Sequence, residues 1–104
     1  STGLVLKKIF PIYDHMTFAL HSLDPQDNQY TGFRLVFEEF EKIFKELGVQ
    51  ELEVTTFDPY TCLAINKVES DKPENSVLEI IEKGFKLHDK ILRPAKVVIS
   101  GGKK

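Results

Sequence analysis

Residues 57–99 read FDPYTCLAINKVESDKPENSVLEIIEKGFKLHDKILRPAKVVI, and this stretch decides the fold. Short β-prone runs alternate with turn-forming residues at Asp58–Pro59, at 70–73 and at 88–90, and Gly84 interrupts a further apolar run. None of these turns carries a group of catalytic side chains. The pattern predicts a compact β-rich segment that offers a surface, and the sequence before it is suited to hold that surface in place.

The strand candidates, in chain order, are 62–69, 77–82, 85–87, 91–92 and 97–99. Residues 77–82 suit a helical turn as well as a strand, but their β-branched side chains and the nearby Gly84 favour a strand. Residues 51–56 alternate charged and apolar side chains, which fits either a half-buried strand or an extended connector. Pro94 has no N–H to donate, so we expect it at a sheet edge or a bend.

Residues 4–23 are predicted to be helical, because apolar residues recur every three or four positions along one stripe. That stripe consists of Val5, Ile9, Ile12, Met16, Leu20 and Leu23. Pro11 lies within the pattern and predicts either a kink or the start of a new helix, since its ring clashes with the carbonyl four residues earlier. Phe10, Tyr13 and Phe18 lie beside the stripe, so the helix has apolar surface for two neighbours.

A second helix is predicted over 33–47, after a loop at 23–32. Thr31 is the predicted N-cap, and Gly48 fits the left-handed position just after a helix end. The helix carries four phenylalanines, and at about 1.5–3 kcal/mol per fully buried side chain an exposed aromatic face would be costly.

Two short helices cannot enclose these apolar faces, but two copies of the pair can form a four-helix bundle. The residues predicted at that dimer interface are Met16, Leu20, Phe33, Phe37, Phe40 and Phe44. The predicted fold class is therefore α+β. Residues 1–50 form an antiparallel helix pair that is half of a dimeric four-helix bundle, and residues 51–104 form a small β-rich C-terminal domain.

The chain has 104 residues and a formal net charge of −2, too close to neutral to indicate nucleic acid or a membrane surface as a partner. Residues 1–57 hold five basic and nine acidic side chains, whereas residues 58–104 hold nine and seven. This asymmetry fits an ordinary solvated surface or a C-terminal half that meets an acidic partner. With no run of about 20 apolar residues, no signal peptide and the single Cys62, we predict a cytoplasmic protein.

No residue is predicted to be catalytic, to bind a metal or to hold a cofactor. His15 and His21 are six positions apart, which does not place two ligands on one helical face. Cys62 has no histidine close in sequence and suits a small buried apolar residue as well as a nucleophile. The six glycines form no phosphate-binding loop. A small hydrolase that uses Cys62 or His88 is the least favoured hypothesis.

Residues 83–97, KGFKLHDKILRPAKV, resemble the GrpE family, and Asp58–Pro59, Val68–Asp71 and 77–82 extend the resemblance. The family comprises nucleotide-exchange factors of the bacterial chaperone DnaK. The resemblance implies a β-rich C-terminal domain, a homodimer and no cofactor. It further implies that one β domain wedges against the DnaK nucleotide-binding domain, opens its cleft and accelerates ADP release. GrpE-like proteins also carry a long N-terminal helix that the residues before Leu4 cannot supply, so activities of that helix are not expected here.

By position in the matched motif, the resemblance implies four contacts with the DnaK-type ATPase, at Lys90, Ile81, Ile99 and Arg93. Lys90 corresponds to a basic contact residue of the family, although it also suits a solvated turn. Ile81 and Ile99 suit the core as well as a contact, and Arg93 suits a structural ion pair. The alternative function is a non-enzymatic dimeric adaptor of the same fold with another client.

Overall fold

A computed structural model describes all residues from Ser1 to Lys104. It has two α-helices followed by six β-strands, and the strands form two three-stranded sheets. This layout confirms the predicted α+β class. The chain divides into two units, Ser1–Val49 and Gln50–Lys104, which hold the helices and nearly all of the strand residues respectively.

Helix α1 spans Thr2–Ser22 and begins at Ser1, whose hydroxyl accepts a hydrogen bond from the Leu4 N–H at 3.3 Å. Pro11 lies inside this helix. The proposed new start at Pro11 is therefore wrong, because one helix runs through it. The side chains of Leu6, Phe10 and Tyr13 are buried.

Helix α2 spans Asn28–Glu46, five residues longer at its start than the sequence pattern predicts. The prediction of Thr31 as N-cap is wrong, because the Asp27 carboxylate takes that role and accepts the Gln29 N–H at 2.8 Å. An aspartate caps a helix at least as well as a threonine, and here it acts one turn earlier. The predicted end is confirmed: Gly48 has a φ of +91° and donates its N–H to the Lys45 carbonyl.

The two helices pack antiparallel through aromatic rings. Phe10 meets Phe44 edge to face at 5.8 Å between ring centroids, while Tyr13, one turn further along α1, lies 5.3 Å from the ring of Phe37. Tyr13 also stacks on Phe44 at 5.9 Å and donates its hydroxyl to the Glu41 carboxylate. Because aromatic pairs contribute about 0.5–1.5 kcal/mol beyond their buried area, this cluster selects the face that each helix buries.

The larger sheet has strand β6, Ala95–Ser100, at its centre. Strand β2, Cys62–Val68, pairs with it in parallel, and strand β3, Val77–Glu82, pairs antiparallel. This confirms that residues 77–82 form a strand. Its core consists of Cys62, Ala95, Val97 and Ile99, with Val54, Phe57 and Val77 packed against them.

The smaller sheet has the order β1-β4-β5. Its strands are β1, Val49–Glu51; β4, Phe85–Leu87; and β5, Lys90–Arg93. β4 and β5 form an antiparallel hairpin that turns at His88, where φ is +52°. The segment 51–56 combines both alternatives left open by its sequence, since it starts in β1 and ends in an isolated bridge between Thr56 and Ser76.

Candidate partner-binding surfaces

Lys90 lies directly after the turn of the β4–β5 hairpin, and its side chain is exposed. Its strand partner is Leu87, and the left-handed backbone of His88 makes the reversal between them. A two-residue hairpin loop of this kind projects from the sheet. The hairpin therefore presents the Lys90 ammonium group to solvent.

Ile81 is presented by an irregularity in β3. Ile80 pairs with Val97 and Glu82 pairs with the adjacent Lys96, so Ile81 is the extra residue of a β-bulge. Bulges redirect a side chain at a sheet edge, and the Ile81 residue is 50% exposed. An apolar residue at an edge strand with this exposure is available to a partner.

Ile99 does not lie on the surface. It is only 5% exposed, pairs with Val77 across the sheet and belongs to the core around Val97. The alternation of β6 turns Ile99 inward together with Val97, so this predicted contact residue has little exposed surface.

Arg93 is held by three neighbours. Its side chain is 15% exposed; its Nε donates to the Lys83 carbonyl at 2.8 Å, and its Nη1 lies 3.3 Å from the Glu82 carboxylate. The guanidinium carbon lies 5.5 Å from the ring centroid of Phe85. The ion-pair alternative for Arg93 matches this geometry, which gives the residue an internal role.

The β unit has further exposed apolar residues that its sequence pattern did not predict. On β2, Leu63 and Ile65 are 50% and 49% exposed, and on β3 Ile80 is 39% exposed. The alternation of Leu63 and Ile65 with smaller or polar residues was a usable signal for a second apolar face. The bulge at Ile65 is not readable from the sequence.

The helical unit also has exposed apolar residues. Its exposed large apolar residues are Leu4, Val5, Ile12, Phe18, Leu35, Val36, Ile43 and Leu47. By contrast, Phe37 and Phe44, predicted at a dimer interface, are buried inside their own helix pair against Tyr13, which leaves them little surface for a second copy. Phe33, Phe40, Met16 and Leu20 are partly buried.

Five of these eight residues lie on a second apolar stripe of their helix, whereas Leu4, Phe18 and Leu35 do not. At about 100° per residue, Val5 and Ile12, together with the half-buried Ile9 and Met16, lie roughly 100° from the buried face of α1. Val36, Ile43 and Leu47 lie at about the same angle and in the same sense on α2. Each stripe is thus displaced by the same angle and in the same sense from the face that contacts the other helix. Because the two helices run in opposite directions, both stripes lie on the same side of the pair. The helix pair therefore presents one continuous apolar side.

No helix has the length and hydropathy needed to span a membrane. The structure also contains no group of three or more His, Cys, Asp and Glu side chains arranged to hold a metal ion.

Comparison with known proteins gives a consistent result. The family model described as GrpE matches residues 3–101. Protein GrpE of Aquifex aeolicus is 43% identical over 72 residues, which are 66% of this chain and 40% of that protein. Protein GrpE of Thermotoga neapolitana is 34% identical over 98 residues, covering 92% of this chain and 58% of its own length. The chain thus spans about half the length of the curated relatives that it matches. Since the family model covers almost the whole sequence, this chain belongs to the GrpE family.

Proposed function

We propose that this chain acts in a co-chaperone nucleotide-exchange factor that binds the ATPase domain of a DnaK-type chaperone and accelerates release of ADP. Membership of the GrpE family is the observation that carries the proposal. The exposed hairpin turn with Lys90 and the exposed apolar residues of β2 and β3 are compatible with it, because they give the β unit a surface of mixed charged and apolar character. The proposed activity involves no covalent step.

The mechanism is a linkage between two binding equilibria. If the factor binds the open-cleft state of the ATPase domain more tightly than the closed ADP state, the affinity for ADP must fall by the same factor. A tenfold preference corresponds to about 1.4 kcal/mol. A rigid binding surface is sufficient for this effect, because the differential contact free energy alone shifts the population.

Within the β unit, Lys90 and Ile81 are the proposed direct contacts. Lys90 would pair with an acidic group of the ATPase domain, and Ile81 would be buried against an apolar one. The exposure of both side chains supports their assignment. Ile99 would contribute by supporting the sheet, consistent with its place in the core.

We also propose a homodimer in which the apolar sides of two helix pairs form a four-helix bundle. The support is the coincidence of the second stripes of α1 and α2 on one side of the pair. Exposed apolar residues such as Val36 and Ile43, at 61% and 46%, would become buried in such a bundle. A large exposed apolar patch is unusual on a monomer and marks an interaction surface.

The test is stopped-flow dissociation of fluorescent ADP from the DnaK ATPase domain, with and without this chain. We expect micromolar protein to accelerate ADP release. Lys90→Glu should raise the protein concentration that gives half-maximal acceleration about tenfold or more, because repulsion replaces the attraction between Lys90 and an acidic group. Lys72→Glu is the matched control, an equal change of charge at another exposed lysine of the same unit.

Equal loss in both variants would assign the effect to overall charge and would contradict a contact at Lys90. No acceleration by the unaltered chain would contradict the exchange function itself and would favour the adaptor alternative.

A further inference from the structure

The two sheets of the β unit meet where the chain passes from one to the other. It leaves the larger sheet after β3 and enters β4 through 83–84, and it returns from β5 to β6 through Pro94. These two connections touch: a Cβ added to Gly84 would lie 2.5 Å from the Ala95 nitrogen and 2.8 Å from the Pro94 carbonyl carbon. We call residues 82–85 together with 93–95 the crossing.

The guanidinium group of Arg93 stabilises the crossing. The Nε–H binds the Lys83 carbonyl at 2.8 Å, and Nη1 binds the Glu82 carboxylate at 3.3 Å. The guanidinium also lies over the ring of Phe85, the first residue of β4. One planar group therefore joins the end of β3, the connection and the start of β4, a combination that the single ammonium group of a lysine cannot reproduce.

The crossing determines how two proposed contacts are placed. Ile81 lies on β3, just before the crossing, whereas Lys90 lies at the far end of the β4–β5 hairpin. Their strands belong to different sheets, so no ladder of hydrogen bonds sets the distance between them. That distance depends on the packing and the hydrogen bonds at the crossing.

We infer that Arg93 is a positioning residue, which fixes the β4–β5 hairpin against β3 so that Lys90 and Ile81 reach the same partner, and that it is not itself a partner contact. This role rests on the proposed function. It assigns to Arg93 an effect on affinity that acts through Lys90, in contrast to the direct contact implied by the family resemblance. The low exposure and the three internal interactions of its side chain carry the inference.

The variant that tests this role is Arg93→Lys in the full 104-residue chain. It keeps the net charge, so electrostatic attraction to a partner is unchanged, but it removes the Nε donor and the planar stacking group. Hydrogen exchange followed by mass spectrometry should show amides of the β4–β5 hairpin exchanging about fivefold faster or more, with β2 and β6 unchanged. Lys86→Gln, on the same hairpin but with a side chain that makes none of these three interactions, should leave that exchange unchanged.

The second measurement is a double-mutant cycle with Lys90→Glu, read as the dissociation constant for the DnaK ATPase domain. If Arg93 acts through Lys90, the loss of affinity caused by Lys90→Glu should be at least about threefold smaller in the Arg93→Lys background. Additive losses within about twofold would make Arg93 an independent contact and overturn the inference, as would unchanged exchange in the hairpin.

The outcomes separate this inference from the function on which it rests. If the unaltered chain fails to bind the ATPase domain, the proposed function is overturned and the positioning role with it. If the unaltered chain binds but the cycle is additive, only the positioning role is overturned.

Discussion

Gly84 is the glycine of the β unit with the least room for a side chain. A methyl group there would meet the Ala95 nitrogen at 2.5 Å and two further carbon atoms at 2.8 Å, two of these three neighbours being backbone. Because a backbone cannot move aside as a flexible side chain does, we expect Gly84→Ala to lower the free energy of unfolding by about 1–3 kcal/mol.

Urea denaturation measures this change, with Gly101→Ala as the matched control. A Cβ at Gly101 would find its nearest neighbours at 3.6 Å, an ordinary contact, so that variant should differ from the unaltered chain by less than about 0.5 kcal/mol. Equal stability of Gly84→Ala and Gly101→Ala would show that the two connections separate more easily than their close packing indicates.

Single residues also show where prediction from sequence ends. Both Asp27 and Thr31 are good N-caps, and only the path of the preceding loop decides that Asp27 is used. Ile81 and Ile99 are the same residue type on neighbouring strands, yet one is 50% and the other 5% exposed. The bulge that turns Ile81 outward arises from strand pairing, which local sequence does not encode.

At the level of elements, strands were easier to predict than helix faces. The turn chemistry around Gly84 and 88–90 correctly divided the C-terminal half into short strands, because glycine and polar turn residues act locally. Helix α1 was predicted with nearly correct ends, but its apolar stripe through Val5 and Ile12 faces outward, while Phe10 and Tyr13 face α2. Periodicity locates an apolar stripe, but it cannot choose between two stripes when both are apolar.

The outward stripes make a prediction about α2. Ile43 is 46% exposed and lies on the apolar side of the helix pair, so Ile43→Asp should place a charge inside the proposed bundle and dissociate the dimer. In sedimentation equilibrium we expect the mass of a monomer for this variant and the mass of a dimer for the unaltered chain. The helical circular dichroism signal of the variant should be largely retained.

Phe18→Asp is the control for this substitution. Phe18 is more exposed than Ile43, at 75%, and at about 100° per residue it lies roughly 160° from the stripe of Val5, Ile9 and Met16 on α1, on the side of the pair away from both apolar stripes. It should leave the dimer intact. Dissociation by both variants, or by neither, would contradict an interface formed by the apolar side that includes Val36 and Ile43.

At the level of the whole molecule, both the small size of each unit and the apolar surface of the helices favour dimerisation. Each unit has only about fifty residues, a size at which a chain buries roughly 60% of its unfolded surface and has little stability of its own. The helical unit adds a side rich in exposed Val, Ile and Leu. A second copy would both cover this side and enlarge the buried core, so dimerisation and folding should be coupled.

This coupling predicts that thermal stability depends on protein concentration. For a dimer that dissociates as it unfolds, each tenfold rise in concentration stabilises the folded state by about 1.4 kcal/mol, which should raise Tm by about 3–5 °C for roughly 200 residues. Differential scanning calorimetry at about 10 μM and at about 100 μM measures this shift in Tm. The Ile43→Asp variant should show a lower Tm that no longer depends on concentration. A Tm of the unaltered chain that stays constant over this range would mean that the helix pair folds alone with its apolar side in water, and the four-helix bundle would have to be abandoned.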